Sequence, residues 1–272
     1  HPNETRVVLK NENHIEDYEY ESINNTLIKN NIYLGKVSRI EPSLQAAFVD
    51  FGRERHGFLS FNDIQSDYYQ IPQSDIEKIK EEEEKVREEL SKESESIENK
   101  ILDGEEEIKI EDPVEKKDED VDGKKDEKIQ KRFPSKRYKT QEVIRPNQVI
   151  LVQVLKDERG LKGAALSTFI SISGKYIVLM PNTAKGGGIS RKIFNPGDRK
   201  KIRKILNEIE IPKEMGIIVR TAGSNKTKNE IDGDLKNLIS AWNSIKDNAL
   251  NSIAPSLIHQ ESDIIKRSIR DM

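Results

Sequence analysis

Residues 71–140 form a charged run that limits how the rest of this chain can fold. The run holds 24 acidic and 17 basic residues and few large apolar ones. Such a composition buries too little apolar surface to offset the entropy of ordering the backbone. In its first part Glu and Lys recur four residues apart, which reads as a solvated helix; Pro113 and the Asp/Lys/Gly run after it read as disordered. Two readings of the run stand. One is an inert insertion, since a long exposed loop costs little; the other is an acidic tether that recruits a partner. Set aside from the chain's 46 basic and 49 acidic residues, it leaves 29 and 25, so an acidic segment masks a mildly cationic body.

On either side of the run the pattern is that of short strands. Residues 6–10 and 14–21 read as a hairpin turning at Asn11, Glu12 and Asn13, followed by polar sequence to residue 30. Residues 31–61 read as three strands. The first carries Ile32, Tyr33, Val37 and Ile40 and is broken by Pro42 and Ser43. The second is 46–49, turned by 51–54, and the third begins at His56. A short helix is expected over 62–69. Beyond the run, 148–155 is a strongly apolar strand, 157–160 a turn and 163–170 another strand. That makes five strands, the count of an OB barrel. The charged run would then be an insertion between the third and fourth strands of one domain.

The remainder alternates strands and helices. Strands are expected at 175–180, 189–193, 215–219 and 257–259, with a loop of three successive glycines between the first two. Pro196, Gly197 and Asp198 cap a helix with Ile202, Ile205, Leu206 and Ile209 on one face. A second helix carries Ile231, Leu235, Leu238, Ile239, Trp242 and Ile245 in register, and a third starts at Ile264 behind Ser262 and Asp263. The fold class is therefore α+β.

Two places carry chemistry. Along 31–61, Lys36, Arg39, Arg53, Arg55 and His56 interleave with Phe48, Phe51 and Phe58. A basic face with aromatic platforms suits single-stranded nucleic acid, because cations follow the phosphates while bases stack on the rings. The competing reading is plain, since phenylalanines in strands are mostly core residues. Lys156, Arg159 and Lys162 flank one turn and would extend the cationic face. At the end of the 215–219 strand, Arg220 and Thr221 pair a guanidinium fork with a hydroxyl, a combination able to grip a phosphate monoester; a structural arginine capping carbonyls is the alternative. The glycine-rich 184–190 segment lacks the lysine spacing of a phosphate-binding P-loop. The four histidines show no metal-ligand spacing, and no Ser/His/Asp arrangement is legible. With no cysteine, no signal peptide and no apolar run approaching a membrane span, a soluble, cytoplasmic protein is expected. The chain starts at His1 and ends in helix-like sequence at Met272, so a longer parent protein is expected.

The blocks NIYLGKVSRIEPSLQAAFVDFGRERHGFL, KGAALSTFIS, VLMPNTAKGGGISRKI, MGIIVRTAG and PSLIHQESDIIKRSIRD resemble the amino-terminal half of the ribonuclease E/G family, in that family's order. A charged insertion in the barrel resembles the alphaproteobacterial ribonuclease E branch of the family. The resemblance implies a magnesium-dependent endoribonuclease of RNA processing and decay that cuts single-stranded, A/U-rich RNA and prefers a 5′-monophosphate end. It implies an S1-type OB-fold domain over 31–171, with the insertion at 70–141, then a 5′-sensor subdomain over 172–223. Residues 1–30 and 224–272 would be parts of an RNase H-like subdomain. It makes Phe48 and Phe58 RNA contacts with Lys162 as a basic partner; Lys36, Arg55 and Lys156 complete the expected RNA-binding set, and Phe51 is left as the structural ring. It makes Arg220 and Thr221 the phosphate-holding pair, with Gly174 and Val178 near the terminal nucleotide. The family's magnesium-holding carboxylates would lie beyond Met272, as would the cysteines of its zinc-mediated dimer contact, so no catalytic residue and no metal site are expected in this chain. Homo-oligomerisation and degradosome-type protein partners are implied for the full-length protein. The alternative is a standalone, non-catalytic S1-type RNA-binding or scaffold protein.

Overall fold

The computed structural model describes residues 3–12, 14–22, 28–77, 140–159, 162–183, 187–212, 214–261 and 264–271. The chain divides into two compact units, residues 1–65 with 145–272, and residues 66–144.

In the first unit, β3 (Ile32–Glu41), β4 (Ala46–Asp50), β5 (Gly57–Ser60), β6 (Val149–Lys156) and β7 (Ala165–Ser167) form a barrel. The order is β3-β4-β5-β7-β6, closed by pairing of β6 with β3. Only β5 and β7 run parallel; the other pairs are antiparallel. This closed, mixed, five-stranded barrel is consistent with an OB-fold. Each strand alternates between faces, and Val37, Val49, Leu59, Ile150, Val152 and Leu166 fill the interior. The turns are sequence-determined. Pro42 opens a 3₁₀ turn, Pro42–Leu44, that ends on Gln45 in the left-handed region, and Gly52 takes a φ of 86° while its amide donates to Asp50 Oδ1 at 3.1 Å.

The helix expected over 62–69 is replaced by two 3₁₀ turns, Phe61–Asp63 and Ser66–Tyr68. Thr168 is the reason. Its backbone N–H and hydroxyl both donate to the Asp63 carbonyl at 2.9 Å, and its Oγ1 accepts from the Gln65 amide at 2.7 Å. These bonds hold Ile64 extended, with ψ at 121°.

A second sheet follows, from β8 (Ile172–Ser173), β9 (Ile177–Met180), β10 (Gly187–Ile189) and β11 (Gly216–Val219) in the order β10-β11-β9-β8. β10 lies earlier than the strand expected at 189–193. The chain leaves the sheet after Ser190, whose N–H still reaches Val219, because Arg199 draws the Ser190 and Ile193 carbonyls together. Helix α1 (Pro196–Glu208) has Asn195 as its N-cap, with Pro196 one position inside it. Helix α2 (Lys228–Asn251) starts with a capping box between Thr227 and Glu230. Ile202 and Leu206 of α1, and Ile231, Leu235, Leu238, Trp242 and Ile245 of α2, share one apolar cluster with Ile177, Leu179, Ile217 and Val219 of the sheet.

The chain ends return to what came first. β12 (Ser256–His259) adds to the outer side of β3, and α3 (Ile264–Asp271) touches the hairpin of β1 (Glu4–Asn11) and β2 (His14–Ser22), with Arg267 donating to Glu19 at 2.8 Å. The cap expected at Ser262 and Asp263 lies outside the described residues.

In the second unit, the Gln70 N–H donates to the Val143 carbonyl at 2.8 Å beside a single helical turn, Thr140–Val143, and Tyr69, Val143 and Ile144 are buried. Residues 73–77, at the start of the solvated helix expected in the charged run, are helical; the rest of that helix and the disordered run after it fall in 78–139, outside the described residues.

Candidate nucleic-acid interface

The barrel's outer surface carries a continuous row of side chains across all five strands. Arg39 on β3 opposes Phe48 on β4, and Phe48 opposes Phe58 on β5. Phe58 opposes Ala165 on β7, which in turn opposes Lys156 on β6. The row crosses four inter-strand steps, roughly 19 Å along the curved surface at about 4.8 Å each. The two rings meet edge to face with centroids 6.0 Å apart, and the Arg39 guanidinium carbon lies 4.5 Å from the Phe48 centroid. Phe58 is exposed, Phe48 half-buried, and Arg39 and Lys156 exposed. Phe51, by contrast, is 1% exposed and packs edge-on against Tyr33 inside the fold.

A register shift brings a cation to each end of the row. Between Val37 and Arg39 one residue is skipped, so Arg39 rather than Ser38 faces Phe48. Between Val154 and Lys156 another is skipped, so Lys156 rather than Leu155 faces Ala165. Bulges that re-aim a side chain in this way lie beyond what simple alternation foretells.

The other basic candidates lie around the row. Lys36 is exposed opposite Asp50, one pair along from Val37 on the same strands. Arg55 is exposed in the β4–β5 turn. Lys162 is exposed on a turn closed by mutual backbone bonds with Arg159. The next residue, Gly163, sits against the His56 carbonyl with no room for a Cβ, which draws this turn onto the start of β5. Phe169 is as exposed as Phe58, and nothing in the sequence singles it out.

The second candidate group gathers at one end of the other sheet. β9 and β11 pair Ile177 with Val219 and Val178 with Ile218. The buried pair Ile177 and Val219 faces the core, so Val178 and Ile218 face away from it. Continuing that alternation puts Arg220 beside Tyr176, and the Arg220 N–H does donate to the Tyr176 carbonyl at 2.8 Å. The guanidinium Nη1 donates to the Gly174 carbonyl at 2.9 Å. A guanidinium carries five donors, so capping a carbonyl and binding an anion are compatible roles. Thr221 is exposed and opens the 3₁₀ turn Thr221–Gly223. Gly174, Val178, Arg220 and Thr221 are thus brought together, whereas in the sequence the first and last stand 47 residues apart. Also here are Lys175 and Lys226, whose ammonium groups lie 5.4 Å and 5.0 Å from the Tyr176 centroid. Lys226 is held above the ordinary lysine range, first by its hydrogen bond to Glu230. These three residues were not legible as a group in sequence.

Among the described residues no group of three or more His, Asp or Glu side chains could hold a metal ion, and no helix is long and apolar enough to cross a membrane. His259 is half-buried, and that burial lowers its pKa while Glu261 opposes the effect.

The profile of the "Ribonuclease E/G family" matches residues 171–272. Ribonuclease E of Haemophilus influenzae is 36% identical over 268 residues, covering 98% of this chain and 22% of that relative. Ribonuclease E of Escherichia coli (strain K12) is 37% identical over the same length, 20% of that relative, and Ribonuclease E of Nostoc sp. is 37% identical over 131 residues. The chain thus spans about a fifth of the length of these curated relatives. Matched along nearly all of its residues to proteins of one kind, and by the profile over its last 102, the chain belongs to the ribonuclease E/G family.

Proposed function

We propose that this chain is the part of an endoribonuclease that holds single-stranded, A/U-rich RNA and reads its 5′-monophosphate end. The observation that carries this reading is the row Arg39, Phe48, Phe58, Lys156, with two exposed or half-exposed rings between two cations. Bases stack on rings while phosphates follow cations, and both are needed along one path. In this scheme 31–171 is an S1-type RNA-binding domain, and 172–223 is the sensor, with Arg220 and Thr221 on the phosphate and Gly174 and Val178 at the terminal nucleotide. Residues 1–30 and 224–272 form an RNase H-like part, a grouping supported by the Arg267–Glu19 pair between α3 and the hairpin. The cutting groups and their magnesium belong to the parent protein. No cleavage step is assigned to the described residues.

The first test is binding of a U-rich oligonucleotide by fluorescence anisotropy. Stacking is worth about 1–3 kcal/mol per base, so Phe58→Ala is expected to weaken binding about tenfold. Wild-type affinity in this variant would return Phe58 to the role of an ordinary surface ring. The second test concerns the 5′ end. Arg220→Ala is expected to abolish the preference for 5′-monophosphate over 5′-hydroxyl RNA while sparing affinity for the latter. An equal loss for both RNAs would leave Arg220 with its carbonyl-capping role alone.

A further inference from the structure

Neither the sequence pattern nor the family resemblance draws attention to Asp234, an acid in the second turn of α2. Its carboxylate accepts three successive backbone N–H groups: Lys175 at 3.3 Å, Tyr176 at 2.8 Å and Ile177 at 3.2 Å. Hydrogen bonds to an ionised acceptor are about twice as strong as neutral ones, and here three of them converge on one short turn. The turn is also shaped to receive the carboxylate. A Cβ on Gly174 would fall 2.6 and 2.9 Å from the two Asp234 oxygens and 2.9 Å from Leu238 Cδ1, so any other residue here would push the carboxylate from its place. The Gly174 N–H is occupied by the Ile177 carbonyl at 2.8 Å, which closes the turn on itself.

With its amides committed to Asp234, the turn offers two carbonyls to Arg220. The Gly174 oxygen takes the guanidinium Nη1 and the Tyr176 oxygen takes the backbone N–H. Side chain and main chain of Arg220 are therefore both docked on the segment that α2 pins. We propose that Asp234 is a positioning residue for recognition of the RNA 5′-phosphate, acting through the 174–177 turn on the Arg220 guanidinium. The proposal rests on the sensor reading of Arg220 and deepens it. Without the carboxylate, three amides lose their acceptor and the Gly174 carbonyl is no longer fixed. The fork then loses one of the contacts that orient it, and a bound phosphate must supply more of the ordering.

The test compares the affinities of 5′-monophosphate and 5′-hydroxyl forms of one oligonucleotide for the wild-type chain and for the Arg220→Ala, Asp234→Ala and Asp234→Asn variants. Asp234→Ala is expected to bring the affinity ratio near one, as Arg220→Ala does, with 5′-hydroxyl binding changed less than twofold. Asp234→Asn keeps the shape and one carbonyl acceptor, and is expected to lose at least threefold of the ratio while retaining part of it; it also serves if the alanine variant does not fold. Faster hydrogen exchange at the 175–177 amides should accompany the loss. A preference in the wild type that vanishes in Arg220→Ala but persists in both Asp234 variants overturns this proposal alone. A wild-type chain with no 5′ preference overturns the sensor reading and this proposal with it.

Discussion

A Phe48→Ala/Phe58→Ala double variant is expected to bind U-rich RNA about thirtyfold more weakly than the wild-type chain while keeping its barrel. At about 1–3 kcal/mol per stacked base, two platforms supply roughly 2–6 kcal/mol of binding. The rings touch edge to face at 6.0 Å, and residues in contact do not act independently. Removing one ring leaves the other with more freedom, so each single variant already carries part of its neighbour's loss and the double falls short of the full product. The barrel survives because its interior is built from other side chains, Val37, Val49, Leu59, Val152 and Leu166 among them. Anisotropy for binding and circular dichroism for the fold check the two halves separately. A double variant that stays folded and loses less than threefold would sink the platform reading. One that unfolds would make the pair structural.

The second large effect is expected in stability, at Gln153. This residue lies in β6 and is 2% exposed. Its Nε2 donates to the carbonyls of Asn30 at 3.0 Å and Ser171 at 2.8 Å, and its Oε1 accepts from the Ser171 N–H at 2.8 Å and hydroxyl at 3.2 Å. One buried amide thereby ties the start of the barrel to the segment leading into the second sheet. Gln153→Leu keeps the volume and removes every polar partner. Stranding a buried polar group costs about 1–3 kcal/mol; Asn30 and Ser171 are only partly buried, so water can relieve some of this. We expect a loss of about 3 kcal/mol, read as a lower urea midpoint. A change under about 1 kcal/mol would mean that water replaces the amide without penalty.

The strands of the barrel were legible because their punctuation is local. Pro42 and Gly52 end strands whatever the rest of the chain does, and 148–155 is apolar enough to need burial. The closure of β6 onto β3 was not legible, because it joins segments more than a hundred residues apart. The two register shifts were hidden for a related reason. Ser38 and Arg39 both face outward, so alternation alone assigns the wrong one to the row, and only the pairing with β4 decides. Gln153 breaks alternation in the other direction: Val152, Gln153 and Val154 are all buried, since Ser171 covers what would be the strand's outer face. Asp234 read as a solvated acid on a helix because its three partners are backbone groups nearly sixty residues upstream. The grouping of Gly174, Val178, Arg220 and Thr221 was legible through resemblance, and the sheet supplies its physical basis.

The interruption of the barrel between Ser60 and Val149 also has a consequence in time. During synthesis β3, β4 and β5 emerge first, and the strands that close the ring follow only after 88 intervening residues. At about 5–20 residues per second, the half-built barrel waits roughly 4–18 s with both outer strands lacking partners. In that interval Val49 and Leu59 have no opposite wall, and unpaired strand edges are templates for wrong association. Ten residues further on, the emerging sequence becomes dense in charge of both signs, a solvating tail attached to the vulnerable half. Loop-closure entropy rises only with the logarithm of length, so the insertion burdens the finished fold little. Its larger effect is the delay before the ring can close.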